Sequence, residues 1–418
     1  MGEIFLSRAS NRFFHLVSCF HSKLLLLTCG MLFSACIVEF SRANHSNEKD
    51  GGPCCSDGSP SNDSDGEGHP YSSFKDDLGA HNAADGDIIN NCPAQTCVQT
   101  FAGIPQVPGA TDDRSLLAQF NSPAGVAVDG RDNQLKIYVA DQKNHRIRLI
   151  SNGQVTTFAG SGISGSRDDS VKQARFNSPL GIAVGKTGAV YVADYGSHLI
   201  RKISAGQVTT IAGNGMGYKD GPAILAQFSN PAGLAVDQDD TVYVADTSNH
   251  RIRIIAQGQV TTFAGSVRGY HDGSSLSAKF NYPYGIAVSS TGTNPIVYVA
   301  EQDNHRIRKI LGGQVTTLAG AGYPGFADGA GGQAIFQAPT GIAVDSSGLV
   351  YVADQGNHRI RRIADNDVST YAGLGISGYY NGPALQSIFN SPIALAVDKR
   401  GFVFVADQGN HVIRVITH

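Results

Sequence analysis

The stretch Tyr243-Val-Ala-Asp-Thr-Ser-Asn-His-Arg-Ile-Arg253 decides the fold, because the chain repeats it six times. From its first Val onward the copies occupy residues 139–148, 192–201, 244–253, 299–308, 352–361 and 405–414. The changes are few: Ser197 and Leu199 in the second copy, Glu301 in the fourth and Val412 in the sixth. The acidic residue recurs at Asp141, Asp194, Asp246, Glu301, Asp354 and Asp407, in steps of 53, 52, 55, 53 and 53 residues. Repetition at a period near fifty, without a long helical pattern, points to a propeller or a similar array.

Around each copy lie four short β-like runs. In the third unit they are Gly233-Leu-Ala-Val-Asp237, Thr241-Val-Tyr-Val-Ala245, Arg251-Ile-Arg-Ile-Ile255 and Val260-Thr-Thr-Phe-Ala264, joined by segments rich in Asp, Asn, Gln and Gly. Such segments form turns because Asp and Asn bond their own backbone and Gly tolerates positive φ. Four consecutive strands with tight turns make an antiparallel blade, which buries its faces only by packing on neighbouring blades around an axis. Six first strands begin near Gly125, Gly181, Gly233, Gly285, Gly341 and Ala394, but the sixth unit reaches His418 with three strands. The missing fourth strand stands ahead of the first unit as Val98-Gln-Thr-Phe-Ala-Gly103. The sequence therefore predicts an all-β protein: a six-bladed β-propeller of four-stranded antiparallel blades, closed by its N-terminal strand. Closure removes an exposed sheet edge.

Asn-His-Arg-Ile-Arg after Tyr-Val-Ala-Asp, preceded by Pro-x-Gly-Ile-Ala-Val-Asp, resembles the NHL repeat family over residues 98–418. The resemblance implies a ring like those of the RNA-binding ubiquitin-ligase relatives, the teneurins and the peptidylglycine amidating lyases. It says little about activity, because propellers host unrelated functions. Nothing before Val98 resembles a RING finger, a B-box or a thioredoxin domain.

Two segments precede the repeats. Residues 1–43 carry Arg8, Arg12, Lys23 and Arg42 against Glu3 and Glu39, and the fifteen residues 24–38 are uncharged. This is the pattern of a signal peptide, too short for a comfortable span of roughly 20 residues. Cleavage after Ala43, lipidation of Cys36 within Leu32-Phe-Ser-Ala-Cys36, and an uncleaved anchor are the three alternatives, and all export the remainder. Residues 44–97 hold ten acids against two lysines, a net of −8, with too few apolar residues to bury a core. They read as a disordered acidic tether. All seven cysteines lie at or before Cys97, which suits an exported chain. A disulfide between Cys92 and Cys97 is preferred to a zinc site, and the pairing of Cys54 and Cys55 stays open.

The whole chain carries 32 Lys and Arg against 35 Asp and Glu, so a polycationic nucleic-acid binder is not expected. Each blade connection places an acid or amide eight residues before a Phe: Asp112 and Phe120, Asp168 and Phe176, Asp220 and Phe228, Asp272 and Phe280, Asp328 and Phe336, Asn381 and Phe389. The Asp suits a tight turn and the Phe suits a plug between blades. Calcium would want several carboxylates per loop. Six equivalent histidines, His145, His198, His250, His305, His358 and His411, argue against one catalytic centre, which needs unlike groups converging. Their expected role is to stabilise the turn and the adjacent blade. The third-strand arginines are expected to pair with carboxylates.

At the channel entrances the six variable residues are Ala124, Leu180, Ala232, Tyr284, Thr340 and Ile393, with no metal ligand or acid–base group. No catalytic residue is assigned and no cofactor is expected, though calcium or zinc in the channel is not excluded. The expected function is a non-catalytic binding or scaffold module for another protein, monomeric, meeting a membrane only through its N-terminal segment. The alternative is a metal-dependent lyase or lactonase at the central channel. Residues that break the repeat on the loop-rich face are the candidate contacts: Tyr270, His271, Tyr282, Tyr284, Glu301, Tyr323, Phe326, Tyr379 and Tyr380. Aromatics on polar loops can anchor a partner, and inter-blade packing is the competing role.

Overall fold

The computed structural model describes residues 95–418 apart from 133 and 290–293. The expected segment 1–43 and residues 44–94 of the expected tether 44–97, with Cys36, Cys54, Cys55 and Cys92, lie outside the described residues, and so does the Cys92–Cys97 pairing. Cys97, which the tether reading included, is instead buried at the start of a strand, because its neighbours Val98 to Ala102 complete a blade. Six antiparallel sheets surround one axis. In the third blade the inner strand is Pro231–Val236, followed outward by Val242–Asp246, Arg251–Ala256 and Gln259–Ala264. A fifth strand of two residues, Gly221–Pro222, pairs with the outer edge of the fourth. All six blades carry this addition. The four-stranded expectation is corrected to five, because such a short strand gives no alternation to read. Among the described residues there is no α-helix.

The second strands are Val-rich and buried at nearly every position, as expected where both faces of a sheet are covered by neighbouring blades. The inner strands lie so close that a Cβ on Gly125 would meet the Leu180 carbonyl oxygen at 2.0 Å, and one on Gly285 would meet the Thr340 oxygen at 2.0 Å. Glycine is therefore required there, and Ala394 stands at this position only in the sixth blade.

Closure follows the offset match. Cys97–Ala102 pairs with Val412–Thr417, setting Val98 opposite Ile416 and Thr100 opposite Arg414, and accepts the two-residue strand Gly382–Pro383 on its other edge. The last blade is thus completed from the other end of the repeat region. The turns between second and third strands and the long blade connections share one face, hereafter the loop face. The first-to-second and third-to-fourth turns make the opposite face.

Candidate binding face

On the loop face each unit builds one polar knot from the same residues. In the third blade Arg253 is fully buried and donates from Nη1 to Asp246 Oδ2 at 2.7 Å and to the Gln227 carbonyl at 3.0 Å. Its Nη2 donates to the Lys219 carbonyl at 2.9 Å and to the carboxylate of Asp220. Asp220 also accepts from the backbone N–H and hydroxyl of Thr262 on the fourth strand. The Phe228 ring lies beneath the guanidinium, 5.1 Å from centroid to Cζ. Buried Arg148, Arg201, Arg308 and Arg361 repeat the arrangement with Asp112, Asp168, Asp272 and Asp328. The arginines pair with carboxylates as expected and Phe plugs the core. The connection Asp has a role beyond its turn: it is the second counter-ion of a buried cation and a cap on the strand edge. Its partner lies 33 residues away in the third blade, which spacing alone could not indicate.

The inner carboxylates are also fully occupied. Asp246 accepts from Ser229 N–H at 2.7 Å and from Asn249 Nδ2 at 2.8 Å besides Arg253. Burial pushes its carboxyl up from the ordinary value, opposed by Asn249, Ser229 and Arg253. In the second blade Ser197 replaces the Asn, and burial lifts Asp194 to about 6.

Each histidine ends its turn in the left-handed region, as His250 does at φ 57°. Its Nδ1 accepts a backbone N–H from the next blade: Ser178 to His145, Asn230 to His198, Tyr282 to His250, Ala338 to His305 and Ser391 to His358, at 3.0 to 3.2 Å. Ser122 to His411, at 3.0 Å, completes the circle across the seam. Glycine would suit the backbone but could not supply this acceptor. Partial burial holds all six imidazoles below their ordinary pKa. They act as inter-blade ties.

The candidate contacts divide. Glu301 is fully buried as the fourth blade's counter-ion to Arg308, with Asn304 donating to it, so it is withdrawn from the surface set. Tyr284 fills the channel mouth against Ala124, Leu180 and Ala232, with Tyr195 beside it, so it is not an outward anchor. Burial pushes its hydroxyl well up. Tyr282 packs edge-on against His250 with ring centroids 5.1 Å apart. Tyr379 stacks on Arg414 and bonds the Thr100 hydroxyl at 2.5 Å. Tyr270, His271, Tyr323, Phe326 and Tyr380 are exposed on the loop face.

Sequence reading missed a repeated feature here. Apolar side chains stand at the tips of all six connections: Val107, Ile163, Val267, Tyr323 and Ile376 thirteen residues before the core Phe of their units and Met216 twelve before Phe228, all solvent-facing, from 39 % for Val107 to 68 % for Met216. Their identities vary between units, so no motif marks them. The central channel below is walled by Val126, Ile182, Leu234, Ile286, Ile342 and Leu395 and by the close-set glycines. Among the described residues no three His, Cys, Asp or Glu side chains converge.

The fold and its polar knots define a propeller of repeated strand-turn-strand units, and comparison with known proteins gives the repeat its family. The NHL repeat model matches residues 176–203, 228–255 and 336–363. By its repeats the chain belongs to the NHL repeat family. It is 32 % identical over 337 residues to NHL repeat-containing protein 2 of Gallus gallus, covering 70 % of this chain and 46 % of that protein. It is 28 % identical over 328 residues to Protein SUPPRESSOR OF QUENCHING 1, chloroplastic, of Arabidopsis thaliana, covering 73 % and 31 %. The chain thus spans less than half the length of these relatives. A solved structure of an auxiliary nutrient binding protein from Bacteroides thetaiotaomicron shares the fold, with a TM-score of 0.60 at 17 % identity over 77 % of this chain and 76 % of that one.

Proposed function

We propose that the propeller is a non-catalytic binding or scaffold module that holds a protein partner on its loop face, on a chain exported by its N-terminal segment. The observation that carries the reading is the set of apolar side chains exposed at the connection tips. Scattered apolar residues are ordinary on a surface, and others such as Leu116, Ile224, Leu276 and Leu385 are exposed nearer the opposite face, but apolar tips on all six long connections of the loop face are the set whose identity varies from blade to blade, as a specific interaction surface requires. The carboxylates of the knots beneath are already occupied by arginine and backbone donors, so the knots form a rigid support for variable contacts. Export is supported by the uncharged stretch at residues 24–38 and by cysteines confined to residues before the repeats.

Photo-crosslinking tests the reading. A benzophenone amino acid at Tyr323 on the loop face and at Arg400 on the opposite face is compared in full-length protein, in the exported fraction of cells. A defined adduct from position 323 and none from 400 is expected. Adducts from 400 alone would remove the loop face as the working surface.

A further inference from the structure

Besides the six buried arginines, third strands carry a second, outer arginine, and in three consecutive blades it has an aromatic cover. Tyr218 lies over Arg251, Tyr270 over Arg306 and Phe326 over Arg359, with guanidinium carbon to centroid distances of 4.0, 3.9 and 3.9 Å. The three rings are exposed and the three arginines partly so. Each guanidinium donates to one backbone carbonyl: Arg251 to Asn249 at 2.9 Å, Arg306 to Ala321 at 3.0 Å and Arg359 to Leu374 at 2.7 Å. Among the described residues none of the three has a carboxylate oxygen within 4.0 Å. The nearby Asp220, Asp272 and Asp328 are already bonded to Arg253, Arg308 and Arg361. Nε of Arg306 and of Arg359 is buried without a partner, so each cation has lost part of its hydration and gained no counter-ion in return. The other blades break the set: Leu199 and Val412 replace the arginine in the second and sixth, and Ala110 and Ser166 replace the aromatic in the first and second.

We infer that the arc formed by Arg251, Arg306 and Arg359 under Tyr218, Tyr270 and Phe326 receives an acidic, partly apolar segment of the protein partner, its carboxylates taking the free guanidinium donors. This rests on the loop-face reading above and names the chemistry of what binds there. Guanidinium matches carboxylate geometry with paired donors, and an aromatic ring over its face fixes the plane in which those donors point. Met216, Val267 and Tyr323 stand exposed on the same three connections, which suits a segment alternating acids with apolar side chains. A long polyanion fits less well. In each of these three blades the outer and the buried arginine are matched in number by two knot carboxylates, as Arg251 and Arg253 are by Asp220 and Asp246, so the arc offers short-range partners rather than an extended positive field.

The test measures binding of a fluorescein-labelled sixteen-residue peptide of alternating Glu and Leu to the full chain, at low and moderate salt. Arg306→Gln and Arg359→Gln are each expected to weaken it at least fivefold without moving the melting temperature, whereas Arg400→Gln on the opposite face should leave it unchanged. A peptide with Gln for every Glu should bind at least tenfold more weakly. Equal binding of the Gln peptide, or indifference to both loop-face substitutions, overturns the arginine assignment. If Tyr323→Ala then abolishes binding of both peptides, the loop-face reading stands while the acidic partner falls. Tight binding of single-stranded RNA or inorganic polyphosphate in place of the Glu peptide also overturns it.

Discussion

The seam blade and the third blade are built to one plan from different parts of the chain, and their differences show where the ring is weakest. In the third blade all four long strands are consecutive, and buried Arg253 has two carboxylates, Asp220 and Asp246. In the seam blade the fourth strand comes from the other end of the repeats, and buried Arg414 has only Asp407. Asn381 replaces the second acid, and Nε of Arg414 has no partner. Ala394 stands where the other blades have the channel glycine, and a Cβ on Gly341 would lie 2.6 Å from the Ala394 Cα. Tyr379 supplies what the missing charge does not, stacking on Arg414 and bonding Thr100. The closing blade therefore depends on its ladder and packing more than on ion pairing.

Deleting residues 98–103 should have the largest effect. It removes the strand paired with Val412–Thr417, including buried Val98 and Ala102, and uncovers the apolar surface they cover. A loss of several kcal/mol is expected, comparable with the whole stability of many domains, so the melting transition should collapse or broaden. Deleting residues 44–91 should leave it in place. Equal losses from the two truncations, read by calorimetry, would refute the seam.

A paired substitution probes the knot. Asp246→Asn leaves Arg253 buried beside one carboxylate, and breaking such a pair typically costs about 3–5 kcal/mol. The remaining Asp220 should hold this loss at the lower end. The reverse change, Asn381→Asp, gives Arg414 the second carboxylate it lacks and should stabilise the seam by about 1 kcal/mol, a charge-assisted bond replacing a neutral one. Chemical denaturation of both variants decides it. A destabilised Asn381→Asp would mean that Tyr379 and Asn381 form a better seam than the acid would.

Repetition made the ring legible. Six copies of one unit disclosed the number of blades, and the displaced Val98-Gln-Thr-Phe-Ala-Gly103 disclosed the closure, because a strand missing from one end of the repeats and present at the other completes a blade only if the two ends meet. The histidine ties were legible in outline, since six equivalent residues act alike. What escaped depends on contacts between residues distant in sequence. Asp220 meets Arg253 and Thr262 only once the connection has crossed the blade. Glu301 looked like a departure from the pattern and proved to be a conservative one, a longer acid reaching the same buried arginine. Tyr284 stood out as aromatic, yet its place in the inner strand turned it into the channel.

The smallest expected effect concerns the ties that the two blades share. His411 bonds Ser122 across the seam at 3.0 Å as His250 bonds Tyr282 within the ring at 3.2 Å, so the seam should not distinguish them. His411→Ala and His250→Ala should each cost about 1 kcal/mol at pH 8, the value of an ordinary hydrogen bond. Protonation removes the Nδ1 acceptor, and all six imidazoles are held below their ordinary value near 6.5. As pH falls through about 6.5 the unfolded chain takes up protons before the folded ring does. The ties therefore contribute fully above that pH, and their contribution is lost as pH falls toward the lowered folded values. Below about 6 the buried Asp194 works in the opposite sense, since the folded state protonates it before the unfolded chain does. The histidine effect is thus best read between pH 7 and 6, where denaturant titrations should show stability declining and each histidine variant declining less steeply by the same amount. A seam variant that alone flattened the curve would mean that one histidine, not the ring of six, governs the acid response.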